Sequence, residues 1–173
     1  MYINSQQELK QLCNHAENDG IVGLDLEFIP ENTFYPELAL VQMAVGSRFV
    51  IVDPLKNPDL TPVDSLVLNP NVTKVVHAGA LDMAIFYHRT GKVPISVFDT
   101  QLAAAFMGMG HQVSYGQMVN NLFNIVLKKG QSYTNWFQRP LSRLQEQYAI
   151  DDVRYLLPAY KKIVEFLENS EKI

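Results

Sequence analysis

The feature that most constrains this chain is a pair of acids inside a short apolar strand pattern. Asp25 and Glu27 lie in the run 20–29, which is apolar, contains β-branched residues and has turn-forming residues at both ends. Side chains two positions apart on a strand point to the same face, so both carboxylates aim at one place. Like charges beside apolar residues are unfavourable unless something pairs them, and a divalent cation such as Mg²⁺ or Mn²⁺ does so through oxygen ligands. The alternative is that one acid faces solvent at a strand end while the other caps a turn.

Length and composition indicate an ordinary globular domain. The 173 residues suffice for one domain with a full hydrophobic core, and the formal charge of −4 lacks the basic character of many nucleic-acid-binding proteins. The charge argues only mildly against a nucleic-acid substrate, because bound cations reverse the sign of a carboxylate site. Cys13 cannot form an internal disulfide, no signal peptide precedes the fold, and no apolar run could span a membrane. We therefore expect a cytoplasmic protein with no membrane partner.

Turn and capping signals predict strands first and alternating elements afterwards. Strand patterns at 38–45 and 47–52 follow the acidic strand and form a hairpin at Gly46-Ser47. The remaining expected elements are a helix at 5–17, a short helix or turn at 61–68, a strand at 73–76, a helix at 80–89, a strand at 97–98, helices at 100–107 and 114–123, a loop at 124–140, and a long helix at 142–168 with an interruption near Pro158. A three-strand antiparallel meander followed by alternating strands and helices predicts an α/β fold, a ribonuclease H-like mixed sheet flanked by helices. We expect residues 1–173 to form a single domain.

A third acid is placed where it can join the first pair. Asp82 lies in the first turn of the helix after the strand at 73–76, three residues past Gly79. Open α/β folds place ligands beyond strand ends, so Asp82 can reach the edge to which Asp25 and Glu27 point. The alternative is that Asp82 only stabilises the helix N-terminus through the dipole.

Helical phase distinguishes two neighbouring acids near the C-terminal end. At about 100° per residue, Tyr148 and Asp152 lie side by side on one edge of the apolar face, whereas Asp151 falls toward solvent. That face is expected to comprise Ile150, Val153, Leu157, Tyr160, Val164 and Leu167. Asp152 is therefore the acid predicted to point inward. For Tyr148, an ordinary position at the edge of the core is the alternative.

Four inward acids and a phenol define a chemistry. Two divalent ions held by carboxylates can clamp a phosphodiester, one activating a water and the other stabilising the leaving oxygen. A phenol of ordinary pKa near 10 is a poor base in isolation. Beside two cations it can orient the attacking water and help to take its proton.

The same residues fall into three motifs that resemble a known family. Asp25-x-Glu27, His77-Ala78-Gly79-x-x-Asp82 and Tyr148-x-x-x-Asp152 are similar to the three motifs of the DEDD 3′–5′ exonucleases, tyrosine subclass. The closer match is the catalytic domain of bacterial ribonuclease D. The resemblance covers roughly residues 20–160, with supporting stretches at 35–42, 52–55, 98–101, 136–141 and 148–158.

The resemblance implies a metal-dependent 3′–5′ exoribonuclease that releases nucleoside 5′-monophosphates from single-stranded RNA in RNA processing or turnover. It implies that Asp25 bridges two ions, Mg²⁺ or Mn²⁺, with Glu27 and Asp152 completing one ion site. Asp82 would hold the other ion and Tyr148 would orient the attacking water. Members of the family usually continue into helical C-terminal RNA-binding domains, whereas this sequence ends at Ile173. We therefore expect a catalytic domain that acts alone, with a partner or as a homo-oligomer.

Substrate contacts rest on weaker patterns. Basic side chains can bind phosphates, exposed aromatic side chains can stack on bases, and a histidine near the site can hydrogen-bond without binding metal. On these grounds the candidates are Lys128, Arg139, Arg143, Phe34, Tyr35 and His77. Solvated surface charge and core packing are the alternatives for them. Asp99 is interpreted as a helix cap or a supporting residue and not as a metal ligand.

Two other functions remain to be distinguished. The same motifs would hydrolyse single-stranded DNA, since the bond is the same. A non-catalytic nucleic-acid-binding module is a different class, and it is expected to lack one or more of the acids. Here all four acids and the tyrosine are present.

Overall fold

The computed structural model describes residues 2–29, 36–56, 59–128 and 134–170. The elements in chain order are α1 Gln6–Asp19, β1 Ile21–Ile29, β2 Glu37–Val45, β3 Arg48–Val52, α2 Thr61–Leu68, β4 Thr73–Val76, α3 Ala80–Thr90, β5 Val97–Asp99, α4 Thr100–Phe106, α5 Tyr115–Phe123, α6 Arg143–Arg154 and α7 Leu156–Asn169. The described parts of 124–140 contain neither helix nor strand, as predicted. Of the helices described, none is long and apolar enough to cross a membrane.

The sheet has the predicted mixed character, with the acidic strand at its centre. The strand order is β3-β2-β1-β4-β5. β2 is antiparallel to both β1 and β3, whereas β4 is parallel to β1 and β5 is parallel to β4. This arrangement confirms the predicted α/β fold, with the meander on one side of β1 and the alternating strands and helices on the other.

Alternation along β1 separates the core from the acids. Leu24 and Leu26 point into the main hydrophobic core, which also includes buried residues of α1, α2 and α3. Asp25 and Glu27 therefore point to the opposite face of the sheet. That second face is covered by α6 and α7, which pack against the strands. The two acids thus lie on the face of the sheet that is covered by α6, the helix that carries Tyr148 and Asp152.

The C-terminal helix is broken three residues before the expected position. α6 ends at Arg154 and α7 begins at Leu156, with Tyr155 between them at φ −104°. Pro158 has no N–H, and its ring would clash with the carbonyl of Arg154 in a continuous helix. The chain therefore breaks before Pro158, and the proline lies in the first turn of α7, where a missing N–H is tolerated.

The break also changes the buried face of α7. The predicted face continued the phase of α6 and placed Tyr160 and Val164 inward. The buried residues of α7 are instead Leu156, Leu157, Ala159, Ile163 and Leu167. Leu157 and Leu167 are buried as predicted, whereas Tyr160 and Val164 are only partly buried, because the break at Tyr155 resets the helical phase.

Candidate active site

The structure brings the four predicted acids together from three elements. Asp25 and Glu27 lie on β1, Asp82 in the first turn of α3, and Asp152 in the last turn of α6. Carboxylate oxygens of Asp25, Glu27 and Asp152 lie within 4.8 Å of one another. Asp82 is 7% exposed and interacts electrostatically with both Asp25 and Glu27. This burial argues that Asp82 has more than a helix-capping role.

The turn from β4 into α3 places Asp82. The Asp99 carboxylate accepts hydrogen bonds from the backbone N–H groups of Ala78 and Gly79, each at 3.0 Å. Ala78 adopts φ +55°, which is unfavourable for a residue with a Cβ. A Cβ on Gly79 would lie 2.5 Å from Cγ2 of Val76, so this position requires glycine. The turn is therefore held in one conformation, one helical turn ahead of Asp82.

Asp99 performs a second role at the start of α4. Its side chain is the N-cap and accepts a hydrogen bond from the backbone N–H of Gln101 at 2.8 Å. Together with its bonds to the β4–α3 turn, these contacts account for both oxygens of the carboxylate. The structure therefore supports the interpretation of Asp99 as a cap and not as a metal ligand.

α6 presents Tyr148 and Asp152 to the cluster. The helix begins with a capping box between Ser142 and Gln145, which sets its first turn. The Tyr148 side chain hydrogen-bonds to the Asp152 carboxylate one turn later. Asp151 points away and instead contacts Gln147 and Arg154 on the helix surface. The helical phase thus distinguished the two neighbouring acids correctly.

Tyr115 is a site residue that the sequence reasoning missed. Its hydroxyl donates to the backbone carbonyl of Asp151 at 3.1 Å and accepts from the backbone N–H of Tyr155 at 3.0 Å. In a continuous helix those two backbone groups would bond to each other, so the hydroxyl is inserted into the helical ladder at the break. It thereby supports the turn that carries Asp152. The only local signal was its position after the Ser114 cap of α5, which says nothing about a contact with α6.

His77 supports the wall of the site. Its Nδ1 lies 3.0 Å from Thr100 Oγ1, and its Nε2 lies 3.0 Å from the Val113 carbonyl oxygen. Its ring meets the Tyr115 ring edge-on at 5.5 Å. Burial lowers the pKa of His77, although the bond to Val113 and the charge of Asp99 act in the opposite direction. With both ring nitrogens engaged, a metal-binding role is excluded in this arrangement and any substrate contact must use the ring edge.

Mutual proximity and burial change the protonation of the acids. Burial raises the pKa of Asp25 to about 7 and that of Asp82 to about 8. Burial, followed by the charges of Asp25, Asp152 and Asp82, raises the pKa of Glu27 to about 9. Burial also raises the pKa of Asp152 to about 8, although the hydrogen bond from Tyr148 opposes this. Such a cluster needs either protons or bound cations, so its chemistry fits a divalent metal site.

These shifts predict a pH dependence of stability for the metal-free protein. Because the folded-state pKa values are raised, the folded protein holds more protons than the unfolded chain between the ordinary carboxyl values and about 7 to 9. The free energy of unfolding should therefore fall as pH rises from about 5 to about 8, by about 1.4 kcal/mol per pH unit for each extra proton. Urea unfolding with a chelator present, at several pH values, measures this slope. The variant Asp82→Asn should show a shallower slope, and a stability that rises with pH would contradict the prediction.

Two adjoining cavities open onto the acids. A cavity of about 230 Å³ is lined by Asp25, Leu26, Glu27, His77, Tyr115, Tyr148, Asp152 and Leu156. A larger cavity of about 670 Å³ shares Tyr115, Tyr148 and Asp152 with the first and extends to Val126, Leu127 and Lys128. Lys128 is exposed and lines this second cavity, and its contact with a phosphate stays a prediction.

The other predicted substrate contacts have different outcomes. Arg139 binds the buried Asp53 carboxylate through Nε at 2.7 Å and Nη2 at 2.9 Å. Its remaining N–H groups donate to the backbone carbonyls of Ala39, Trp136 and Gln138. No donor is left for a phosphate in this arrangement, which argues against the predicted role of Arg139 in substrate binding.

Arg143 is not placed at the acids. Arg143 is exposed at the start of α6 and lines a separate cavity with Tyr2 and Ile51. Its position is nine residues before Asp152, which corresponds to about 13 Å along a helix. Phe34 and Tyr35 lie outside the described residues.

Comparison with known proteins agrees with the metal site that the geometry indicates. A family model described as 3′–5′ exonuclease matches residues 1–168. The chain belongs to the 3′–5′ exonuclease family. Enzymes of this family use divalent metal ions, and the carboxylate cluster offers the oxygen ligands that such ions need. The predicted resemblance is therefore confirmed.

Similar members of the family are known as ribonuclease D. The ribonuclease D of Zymomonas mobilis is 40% identical over 170 residues, covering 97% of this chain and 44% of that protein. The ribonuclease D of Escherichia coli is 35% identical over 168 residues, covering 97% of this chain and 45% of that protein. The crystal structure of the Escherichia coli protein, an exoribonuclease involved in structured RNA processing, matches with a TM-score of 0.91 at 34% identity, covering 99% of this chain and 46% of that one. The chain thus spans less than half the length of these relatives.

Proposed function

We propose that this chain carries a metal-dependent 3′–5′ exoribonuclease activity. It would hydrolyse the 3′-terminal phosphodiester of single-stranded RNA and release nucleoside 5′-monophosphates, in RNA processing or turnover. The observation that carries the proposal is the cluster of Asp25, Glu27 and Asp152 within 4.8 Å, with Asp82 and Tyr148 beside it. The similarity to proteins named ribonuclease D favours RNA over DNA.

The four acids fit the metal ions that the activity requires. Their raised pKa values indicate that the negative charges of the site lack positive partners. Carboxylates are the ligands that Mg²⁺ and Mn²⁺ prefer. Asp25 would be shared between two ions, Glu27 and Asp152 would complete one site, and Asp82 would serve the other. When bound, two such ions supply an activated water and stabilisation of the leaving 3′-oxygen.

The protein side chains contribute orientation and proton handling. Tyr148 would orient the attacking water from the edge of the cavity and help to take its proton, while its present partner Asp152 serves as a ligand. Asp25 and Glu27 project from a central strand that pairs with β2 at both positions and with β4 at its start, so they are held on a rigid element.

The adjoining cavities provide a path for the RNA chain. The smaller cavity holds the acids and would receive the terminal phosphodiester, while the larger one would receive the preceding nucleotide. Lys128 at the larger cavity would contact a backbone phosphate as a point charge. These substrate roles are part of the proposal.

A side-by-side degradation assay tests the proposed function. RNA and DNA oligomers of matched sequence, labelled at the 3′ terminus, are incubated with the protein and Mn²⁺ or Mg²⁺, and mononucleotide release is followed. We expect release from RNA that stops with a chelator and returns when the ion is restored. Preferential release from DNA would support the single-stranded DNA alternative. Binding without cleavage would support a non-catalytic module, and chelator-resistant cleavage would contradict the metal mechanism.

Removal of the Tyr115 hydroxyl should weaken the site without removing a metal ligand. Tyr115→Phe leaves the Asp151 carbonyl and the Tyr155 N–H without their partner. We expect a loss of about 1–3 kcal/mol in the free energy of unfolding and a roughly tenfold lower turnover, because the turn carrying Asp152 loses its support. Urea unfolding and mononucleotide release measure the two effects. The exposed Tyr87 provides the matched control Tyr87→Phe, and equal behaviour of the two variants would contradict the role of Tyr115.

A further inference from the structure

Gln42 is one of three described residues with buried side-chain nitrogen or oxygen atoms that lack a hydrogen-bond partner; the other two, Trp136 and Arg154, each lack one at a single nitrogen. It lies in the middle of β2 and is 0% exposed. Within the part of the chain that the structure describes, neither its amide nitrogen nor its amide oxygen has a hydrogen-bond partner. Buried amide groups are almost always paired, because an unpaired one loses its bonds to water without replacement. The exception therefore calls for a functional explanation.

The strand register places Gln42 beside the acid cluster. Gln42 is directly opposite Asp25 in the antiparallel β1–β2 ladder and opposite Ile51 on its other side, in β3. Directly opposite residues point to the same face, with Cβ atoms about 4.5–5.5 Å apart. The preceding and following residues on that face of β2 are Leu40 and Ala44, both buried and apolar. Asp25 is thus the polar neighbour of Gln42 across the ladder.

The chemistry of Asp25 matches what an amide can offer. The Asp25 carboxylate accepts a hydrogen bond from the backbone N–H of Leu26. Once it is ionised and shared between cations, its remaining lone-pair positions need further donors in fixed directions. A lysine or arginine at position 42 would provide donors but would repel the cations. An amide N–H donates without adding charge, and the glutamine side chain is long enough to turn toward the opposite strand.

We infer that Gln42 is a positioning residue, whose amide N–H donates to the Asp25 carboxylate and holds it in the orientation that binds divalent ions. The inference rests on the proposed function, since it assumes that Asp25 is a metal ligand. Among the described residues the amide has no partner, so we expect Gln42 to contribute little to the stability of the fold. Its contribution is made when the ions bind.

The variant Gln42→Met tests this directly. Methionine keeps the unbranched shape and volume of glutamine and removes both polar atoms. Mn²⁺ binding to the full chain is measured by titration calorimetry, and the melting temperature is measured with a chelator present. We expect Mn²⁺ affinity to fall about tenfold or more, while the metal-free melting temperature stays the same or rises because no unpaired amide is buried.

Gln145 provides a matched control. It is also buried, at 4% exposure, but its amide is paired with Ser142, Thr134 and Asn135. Gln145→Met should therefore lower the metal-free melting temperature and leave Mn²⁺ affinity within about twofold, which is the opposite pattern. The pair separates a role in the metal site from a role in the fold.

The possible results differ in what they overturn. Wild-type affinity in Gln42→Met overturns the inference and leaves the proposed function intact. A variant that melts well below the wild type, or does not fold, also overturns it, because the amide would then support the fold. If the wild-type protein binds no Mn²⁺, both the proposed function and the inference fall.

Discussion

Replacement of Asp25 by asparagine should abolish mononucleotide release, by about a thousandfold or more. Asp25 lies at the centre of the cluster and interacts electrostatically with Glu27, Asp82 and Asp152. Asparagine keeps the shape but removes the negative charge that the two ions would share, which is worth several kcal/mol in the transition state. Release of labelled mononucleotides from a 3′-labelled RNA oligomer, at saturating Mn²⁺, measures the effect.

The same substitution should affect stability in the opposite direction. Without metal, the charge of Asp25 raises the pKa values of Glu27, Asp82 and Asp152, so its removal relieves repulsion. At pH 8 with a chelator, Asp25→Asn should unfold at a higher urea concentration than the wild type. Asp151→Asn is a matched control, because Asp151 lies on the surface of α6 and contacts Arg154. Equal mononucleotide release from Asp25→Asn and the wild type would remove Asp25 from the catalytic mechanism.

Elements governed by local signals were predictable from the sequence. Strand alternation placed Asp25 and Glu27 on one face, and the helices predicted from 114 and 142 begin there, where Ser114 and Ser142 are the N-caps of α5 and α6. The choice of Asp152 over Asp151 also succeeded, because both lie in a regular helix where phase is set by residues nearby. In each case the determining interactions are between residues a few positions apart.

Contacts between distant segments were not predictable in this way. Arg139 has the charge and position of a phosphate contact, but its partner Asp53 is 86 residues away and completely buried. A buried carboxylate needs a paired cation, and the sequence does not say which arginine provides it. Tyr115 presents the same difficulty, since its hydroxyl joins backbone groups of α6 and Tyr155, 36 and 40 residues later.

The position of the helix break depends both on a local sequence signal and on a contact between distant segments. Pro158 indicated an interruption, which is a local effect of its ring and its missing N–H. The backbone hydrogen bonds of the helix are instead interrupted at Tyr155, where the Tyr115 hydroxyl bonds to the backbone groups that the break leaves without a helical partner. Pro158 prevents a continuous helix, and the contact with the Tyr115 hydroxyl determines that the break falls at Tyr155, where its free-energy cost is lowest. Asp152 is consequently located in the last turn of α6, directly beside the break.

Tyr148→Phe should lower turnover by about 10²–10⁴-fold while changing Mn²⁺ affinity far less. The phenol is proposed to act on the attacking water, and general acid–base groups contribute factors of this size. Phenylalanine keeps the ring that packs against Trp136 at 6.1 Å, so the fold should be unaffected. Single-turnover rates at saturating Mn²⁺, together with calorimetric titration of Mn²⁺, separate the two effects.

The hydrogen bond between Tyr148 and Asp152 should make the Mn²⁺ affinity of Tyr148→Phe depend on pH. That bond lowers the pKa of Asp152 against the larger effect of burial, which raises it to about 8. Without the hydroxyl the pKa of Asp152 should rise further, so proton competition for the metal site should extend to higher pH. Mn²⁺ affinity in Tyr148→Phe should therefore be closest to that of the wild type at alkaline pH and fall below it as the solution becomes more acidic. Tyr160→Phe, on α7 and packed edge-on against Phe98, should show neither change. An unchanged rate in Tyr148→Phe would exclude the phenol from water activation, whereas an equal loss of rate and affinity at every pH would assign it to the metal site alone.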